Sequence, residues 1–406
     1  MRLSLTILLC LFLVDCSENS GLEHIRVLDE IPEHIQEVKN LTIYPGDSDP
    51  LYEIELIPVQ SFGETGEPYL THIAGCVVDE NERVIIWDID PHGGGFPPRN
   101  SLYVYNPEGT YHTQIGRTGR GPGEFGMLTS IQTNDGNVFV LDHTNSRLNV
   151  FNTNDYSIER STLVEGWSVW HHESVQNLGF SRLDTRNDGN HLAVFSEWVS
   201  DGRTMDYIYL LIDTEGDVLN PEPLIFPAGF TITPNTNPPG PSMSLPFMGS
   251  TITALSGEDA LFTAWTQDFL IKKYDADGMY QSAIYYPVTG SSFDLNDHIE
   301  SSRYNQRDIR NAFENRDEDL PETNPVLADL MVDDENRIWA AVPMDSQGEI
   351  YEWWILAPSG ELLAKLLRPR EQRIFDIKQG YLYGRETNEE TGAEYVVRYR
   401  IELTES

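Results

Sequence analysis

One pattern repeats along most of the chain: a short alternating apolar strand, a tight polar turn, and a second alternating strand. Six turns mark it, at Glu80-Asn81, Asp135-Gly136, Asp188-Gly189, Gly257-Glu258, Glu335-Asn336 and Gln379-Gly380. Each pair suits a positive φ or a turn capped by its own side chain. The stretches behind them, residues 84–87, 138–141, 191–195, 260–265, 338–342 and 381–383, alternate in and out as strands do. A second punctuation follows in five copies, at residues 106–109, 152–155, 213–216, 275–278 and 357–360, each a hairpin turn leading into a fourth strand. Four antiparallel strands make a propeller blade, so the pattern predicts an all-β, six-bladed β-propeller over residues 51–406. Short, evenly spaced strands would also suit an open sandwich. Two independent turn marks and a matching gap at both ends favour the ring.

The sixth copy is cut short: residues 396–403 read as a third strand with almost nothing behind them. Residues 51–59, Leu-Tyr-Glu-Ile-Glu-Leu-Ile-Pro-Val, alternate well and precede the first complete blade, so they are expected to close the ring as the outer strand of the last blade. Three stretches interrupt the pattern. Residues 91–100, with a Gly-Gly-Gly run and a Pro-Pro pair, lengthen the middle turn of the first blade. Residues 226–248, rich in Pro, Thr and Asn, read as a long loop before the fourth. Between blades four and five, residues 289–325 carry Leu295, Ile299, Tyr304, Ile309 and Phe313 near helical spacing, and predict a helical insertion.

Ahead of the repeats, Arg2 and the apolar run 5–14 have the length of a signal-peptide core and are too short to span a bilayer. Residues 1–15 are therefore expected to direct export. Leu13-Val14-Asp15-Cys16 resembles a bacterial lipobox, with Asp15 a departure from the small residue usual before the cysteine. The expectation is lipidation at Cys16, with residues 16–50 as tether and lead-in, and a place in the bacterial cell envelope. Without lipidation the product would be secreted. Of three cysteines, only Cys76 lies beyond this region, so no intramolecular disulfide is available.

A net charge of −38, from 27 basic and 65 acidic residues, argues against nucleic acid as a partner. The basic residues are 22 Arg and only 5 Lys, a bias that resembles salt-adapted proteins.

In a propeller, the loops joining one blade's outer strand to the next blade's inner strand line the mouth of the central channel. Here they hold Tyr69, His72, Arg117, Arg120, Trp167, Trp170, Arg368, Arg370 and Arg373, which are the candidate ligand-binding residues. Arginines and aromatics against an acidic background point to an anionic or carbohydrate-like ligand; paired loop arginines are the plain alternative. No nucleophile, base and orienter stand at readable spacing, so no catalytic residue is assigned. No metal site or cofactor is assigned either. His72, His143 and the pair His171-His172 could be recruited by calcium or zinc, but adjacent histidines on extended backbone point to opposite sides. The cluster Gly119, Gly121 and Gly123 lacks the Gly-Lys-Ser or Gly-Lys-Thr ending of a phosphate loop.

Gly-Pro-Gly-Glu-Phe at 121–125, followed by the Asp142, Asn145, Arg147 turn, resembles NHL-type propeller repeats. With the lipobox-like start, Asp-Asp-Glu-Asn-Arg-Ile-Trp at 333–339 and Tyr-Val-Val-Arg-Tyr-Arg at 395–400, the whole resembles the six-bladed propeller lipoproteins of Bacteroidetes-like bacteria. That resemblance implies a binding or scaffolding module; a glycan, a peptide or another envelope protein would each fit an exported propeller, and the domain is expected to be monomeric. The competing reading is a metal-dependent hydrolase or lyase of the six-bladed lactonase or amidating-lyase type.

Overall fold

Polar side chains cap the turns that set the strand register. Asp79 Oδ1 accepts the N–H groups of Asn81 and Arg83, both at 2.9 Å, and Asp333 Oδ1 accepts those of Glu335 and Arg337 at 3.1 and 2.8 Å. At Asp135-Gly136 and Gln379-Gly380 both residues instead take positive φ, 43° and 75° in one pair and 56° and 76° in the other. That geometry matches the twist of the flanking strands. The computed structural model describes residues 31–90, 99–176, 178–199, 204–232, 243–301, 320–346 and 348–405. Residues 1–39 form a unit of their own, whose described part holds one helical turn, Glu33–Gln36.

The rest, residues 40–406, is a six-bladed propeller of four-stranded antiparallel sheets. Blade 1 runs inner to outer through Ile73–Val78, Val84–Asp90, Arg99–Tyr105 and Tyr111–Ile115. Blade 2 is Leu128–Asn134, Asn137–Asp142, Arg147–Asn152 and Ile158–Leu163; blade 3 is Gly179–Thr185, His191–Trp198, Thr204–Ile212 and Leu224–Ile232. Blade 4 is Thr251–Leu255, Leu261–Trp265, Leu270–Tyr274 and Tyr280–Tyr285; blade 5 is Asp329–Val332, Ile338–Pro343, Ile350–Leu356 and Leu362–Pro369. In blade 6, Ile374–Lys378, Tyr381–Thr387 and Glu394–Glu405 are completed by Tyr52–Phe62.

The completing strand pairs with the chain's last strand from Tyr52 opposite Glu405 to Phe62 opposite Val396. Its register shifts between Pro58 and Gln60, where proline has no N–H to give and Val59 is left 46% exposed. Just ahead of it, Leu41–Ile43 adds a fifth strand, parallel, to the outer edge of blade 4. The chain then crosses blade 5: Tyr44 stacks on Tyr286 and donates its hydroxyl to the Ser359 carbonyl, and the Leu51 N–H reaches the Leu362 carbonyl. The end of the expected tether is thus structured, and residues 41–62 tie three blades together.

Each inner strand leaves one edge toward the channel, and neighbouring blades supply the missing partners. Val78 of blade 1 donates its N–H to Asp376 of blade 6 at 3.1 Å, while its carbonyl accepts from Lys378 Nζ at 3.1 Å and Thr133 Oγ1 of blade 2 at 2.9 Å. Gln132 of blade 2 likewise bonds the Thr185 N–H and the Leu183 carbonyl of blade 3. These bonds hold the blades in rotational register around the axis.

Two expectations change. The stretch read as a loop from residue 226 begins instead as strand, because Phe226 is 9% exposed and packs edge-on to both Tyr209 and Tyr274. Pro227 is tolerated there because the strand lies toward the outer side of its sheet. Of the helical insertion, Leu295–Ser301 is helix, with Ile299 buried against Leu245 and Phe247; Tyr304, Ile309 and Phe313 lie outside the described residues.

Candidate functional site

The inner strands of blades 5, 6 and 1 begin beside one another, and a cavity of about 850 Å³ opens where they do. His72, Ile73 and Ala74 line it from blade 1, Asp329, Ile350 and Tyr351 from blade 5, and Arg373 and Arg385 from blade 6. The turn between blades 5 and 6 adds Pro369, Arg370 and Glu371.

That turn is held from beneath. Arg368, 6% exposed, gives Nε to the Gln372 carbonyl at 2.6 Å and Nη2 to Glu386 at 2.8 Å, and lies 5.2 Å over the Tyr399 ring. Glu386 also receives Gln372 Nε2 and the Tyr399 hydroxyl. Backbone bonds from Arg370 N–H to Glu349 and from Arg385 N–H to Arg373, both 2.8 Å, fix its ends. A buried, hydrogen-bonded guanidinium is costly to lose, so the turn is a rigid shelf.

The opposite wall is fixed by two carboxylates. Asp88 accepts the Thr71 and His72 N–H groups at 2.6 and 2.9 Å; burial raises its pKa, and those two bonds oppose the rise. Glu394 accepts the Ile73 N–H at 2.6 Å and faces His72 Nδ1 at 3.3 Å and Arg385 Nη1 at 3.4 Å. Burial also raises the pKa of Asp329, against the pull of the Leu330 N–H and the Arg373 charge.

Of the sequence-derived candidates, His72, Arg370 and Arg373 meet in this cavity. The others stand apart from its lining or carry structure. Tyr69 is 77% exposed. Arg117 is paired with Glu124 at 2.8 Å, and Glu124 accepts the Arg120 and Gly121 N–H groups at 2.9 and 2.8 Å. The Gly121 bond, then Arg117, hold the Glu124 carboxyl below its usual range. The glycine-rich loop is thus closed around its own glutamate, with the Arg120 side chain exposed.

Trp167 lies in the core, and Trp170, half-buried, packs against it; neither lines the cavity. The segment carrying them dives between blades 2 and 3, where Trp167 is 3% exposed and packs with Val164, Val169 and Val175 against both sheets. A side chain at Gly216 would collide with the Trp167 ring. Trp170 donates Nε1 to the Val164 carbonyl at 2.6 Å and packs on Phe180 and Phe195. Arg368 is likewise structural, for the reasons given above. Arg147 turns to Ser161 at 2.8 Å, while Asp142 accepts Asn145 and the Gly126 N–H. The Asp142 turn is hairpin chemistry, and among the described residues Arg147 makes no ion pair with Asp142.

Sequence reading missed Asp329, Tyr351 and Arg385. They stand on strands, at positions whose alternation marks them only as half-buried. Among the described residues, no group of three His, Cys, Asp or Glu side chains is placed to hold a metal ion. Cys16 lies outside the described residues.

No curated protein matches the sequence. Solved structures with a similar arrangement include a Bacteroides fragilis protein described as exported, 13% identical with a TM-score of 0.49, over 90% of this chain and 100% of that one. A member of the duf4221 family from Bacteroides vulgatus is 12% identical with a TM-score of 0.49, over 88% and 100%. The PQQ-bound aldose sugar dehydrogenase of Streptomyces coelicolor is 11% identical with a TM-score of 0.43, over 87% and 100%. A family model described as a 6-bladed beta-propeller matches residues 57–220, from within the closing strand to beyond the third strand of blade 3.

Proposed function

We propose that the chain is an exported binding module, held to the cell envelope through Cys16, that captures its ligand in the cavity between blades 5, 6 and 1. The observation that carries this reading is the cavity itself: three blades build it, and the buried Arg368 and Asp88 with the half-buried Glu394 fix its walls. Fixed walls lower the cost of ordering on binding. A shelf of arginines beside an apolar edge suits the capture of a small ligand.

The test is capture of envelope extract components by the purified protein, with an assay for lactone and ester hydrolysis and a metal determination alongside. Ile350 is 45% exposed at the cavity edge, so Ile350→Trp crowds the cavity without entering the core. Capture lost in that variant, at unchanged melting temperature, is the expected result. Stoichiometric zinc or calcium, with turnover that chelation abolishes, would replace the binding module by the hydrolase or lyase reading.

The anchor is tested separately. In the native bacterium, Cys16→Ser is expected to move the protein from the detergent phase to the aqueous phase of a partition assay, because the acyl chains on that residue are the anchor. Retention of the variant in the detergent phase would reject lipidation at Cys16.

A further inference from the structure

Resting on the cavity as a binding site, we infer that its ligand carries a compact oxyanion, a carboxylate or a phosphate, which Arg370 and Arg373 receive. The argument starts from what arginines do elsewhere in this chain. With 65 acidic residues against 27 basic ones, carboxylates are abundant, and most of the described arginines use them; Arg83 and Arg147 turn instead to the Thr153 carbonyl and the Ser161 hydroxyl, and Arg99 and Arg120 make no ion pair within 4 Å among the described residues. Arg117, Arg160, Arg182, Arg186, Arg337, Arg368, Arg385, Arg398 and Arg400 each have a carboxylate within 4 Å.

Arg370 and Arg373 share a cavity with Asp329, Glu349 and Glu371, yet neither makes an ion pair within 4 Å among the described residues. Both are exposed, and both sit on the turn that Arg368 and Glu386 hold in place. A guanidinium reads planar oxyanions through paired N–H donors, and it binds more tightly when its backbone is already positioned. Arg373 also lies 5.7 Å over the Phe375 ring, which restricts its side chain.

The three carboxylates do not cancel this. Asp329 makes no ion pair within 4 Å with either arginine among the described residues, and Glu349 and Glu371 are exposed, where solvent screens them. Ile350, Pro369 and Tyr351 give an apolar flank on which the body of a small acid, such as a sugar ring, can rest. A cation is the poorer occupant, because these arginines repel it.

The experiment titrates the purified protein with D-galacturonate, inorganic phosphate and neutral D-galactose, at low and high salt. Expected is saturable binding of at least one of the two anions, weakened about tenfold by either Arg370→Gln or Arg373→Gln and weakened further by salt. The exposed positions should leave the melting temperature unchanged. The carboxylate and phosphate arms identify which oxyanion is preferred. If galactose binds as well as galacturonate and Ile350→Trp blocks both, the cavity remains a binding site and the oxyanion inference fails. Failure of both anions to bind, or equal binding by wild type and Arg370→Gln/Arg373→Gln, also overturns it. Loss of extract capture in Ile350→Trp decides the binding-site reading independently.

Discussion

A chain that starts at Gly63 is expected to lose its cooperative thermal transition, whereas one that starts at Asn40 keeps it. The shorter chain lacks both the parallel strand on blade 4 and the outer strand of blade 6. Phe62 is fully buried, and Ile54 and Leu56 cover a cluster that includes Trp339, Ile377 and Leu382. Removing those three side chains from the core costs on the order of 5 kcal/mol, before counting the ladder to the last strand. A whole domain is stable by only about 5–15 kcal/mol. The last strand, Glu394–Glu405, would also be left with an open edge, an invitation to association. Near-ultraviolet circular dichroism and scanning calorimetry on the two truncations decide the matter. A Gly63 chain melting within a few degrees of the Asn40 chain would show that the ring does not depend on this segment.

The blades were legible because each local signal repeats. Asp135-Gly136 and Gln379-Gly380 announce two-residue turns, and alternation on either side gives the strand faces. The alternation of residues 51–59 is equally plain. By contrast, Leu41–Ile43 is only three residues long and pairs in parallel with a strand some 240 positions later, so no short-range pattern marks it. Phe226 was hidden by Pro227 and Gly229, which read as loop until Tyr209 and Tyr274 are seen to cover the ring.

The candidate site was legible only in part, for a related reason. Loop position alone suggested arginines and tryptophans, but it does not tell a loop that lies over the channel mouth from one that dives between blades. Trp167, Trp170 and Arg368 belong to the second situation or to the support beneath a turn, and burial separates them from Arg370 and Arg373. Asp329 and Tyr351 come from two strands of blade 5 and Arg385 from blade 6, and only the packing of neighbouring blades brings them to one cavity.

Between pH 6.5 and pH 4 the protein is expected to lose about 3 kcal/mol of stability through His191 alone. His191 is fully buried, stacked on Trp167 at 6.4 Å and edge-on to Phe139 at 5.8 Å, and neither ring nitrogen has a hydrogen-bond partner among the described residues. Burial pushes its pKa from 6.5 down to about 4; Arg160 adds to the shift, and Asp188 and Asp213 oppose it. In this window the unfolded chain binds the proton and the native chain does not, so stability rises with pH, is complete above 6.5 and falls away toward 4. Asp376 works the other way. Burial raises its pKa from 3.8 to about 6, so the native chain holds that proton between the two values and gains on acidification. A pH profile of the wild type therefore mixes opposite slopes, and the difference from His191→Phe isolates one of them. Phenylalanine keeps an aromatic ring against Phe139 and Trp167 and cannot titrate. Urea unfolding at pH 7 and pH 5 should show the variant gaining about 2 kcal/mol on the wild type over that interval. Parallel profiles would mean that His191 keeps a near-normal pKa, and so that water or a polar group reaches its ring in the folded protein.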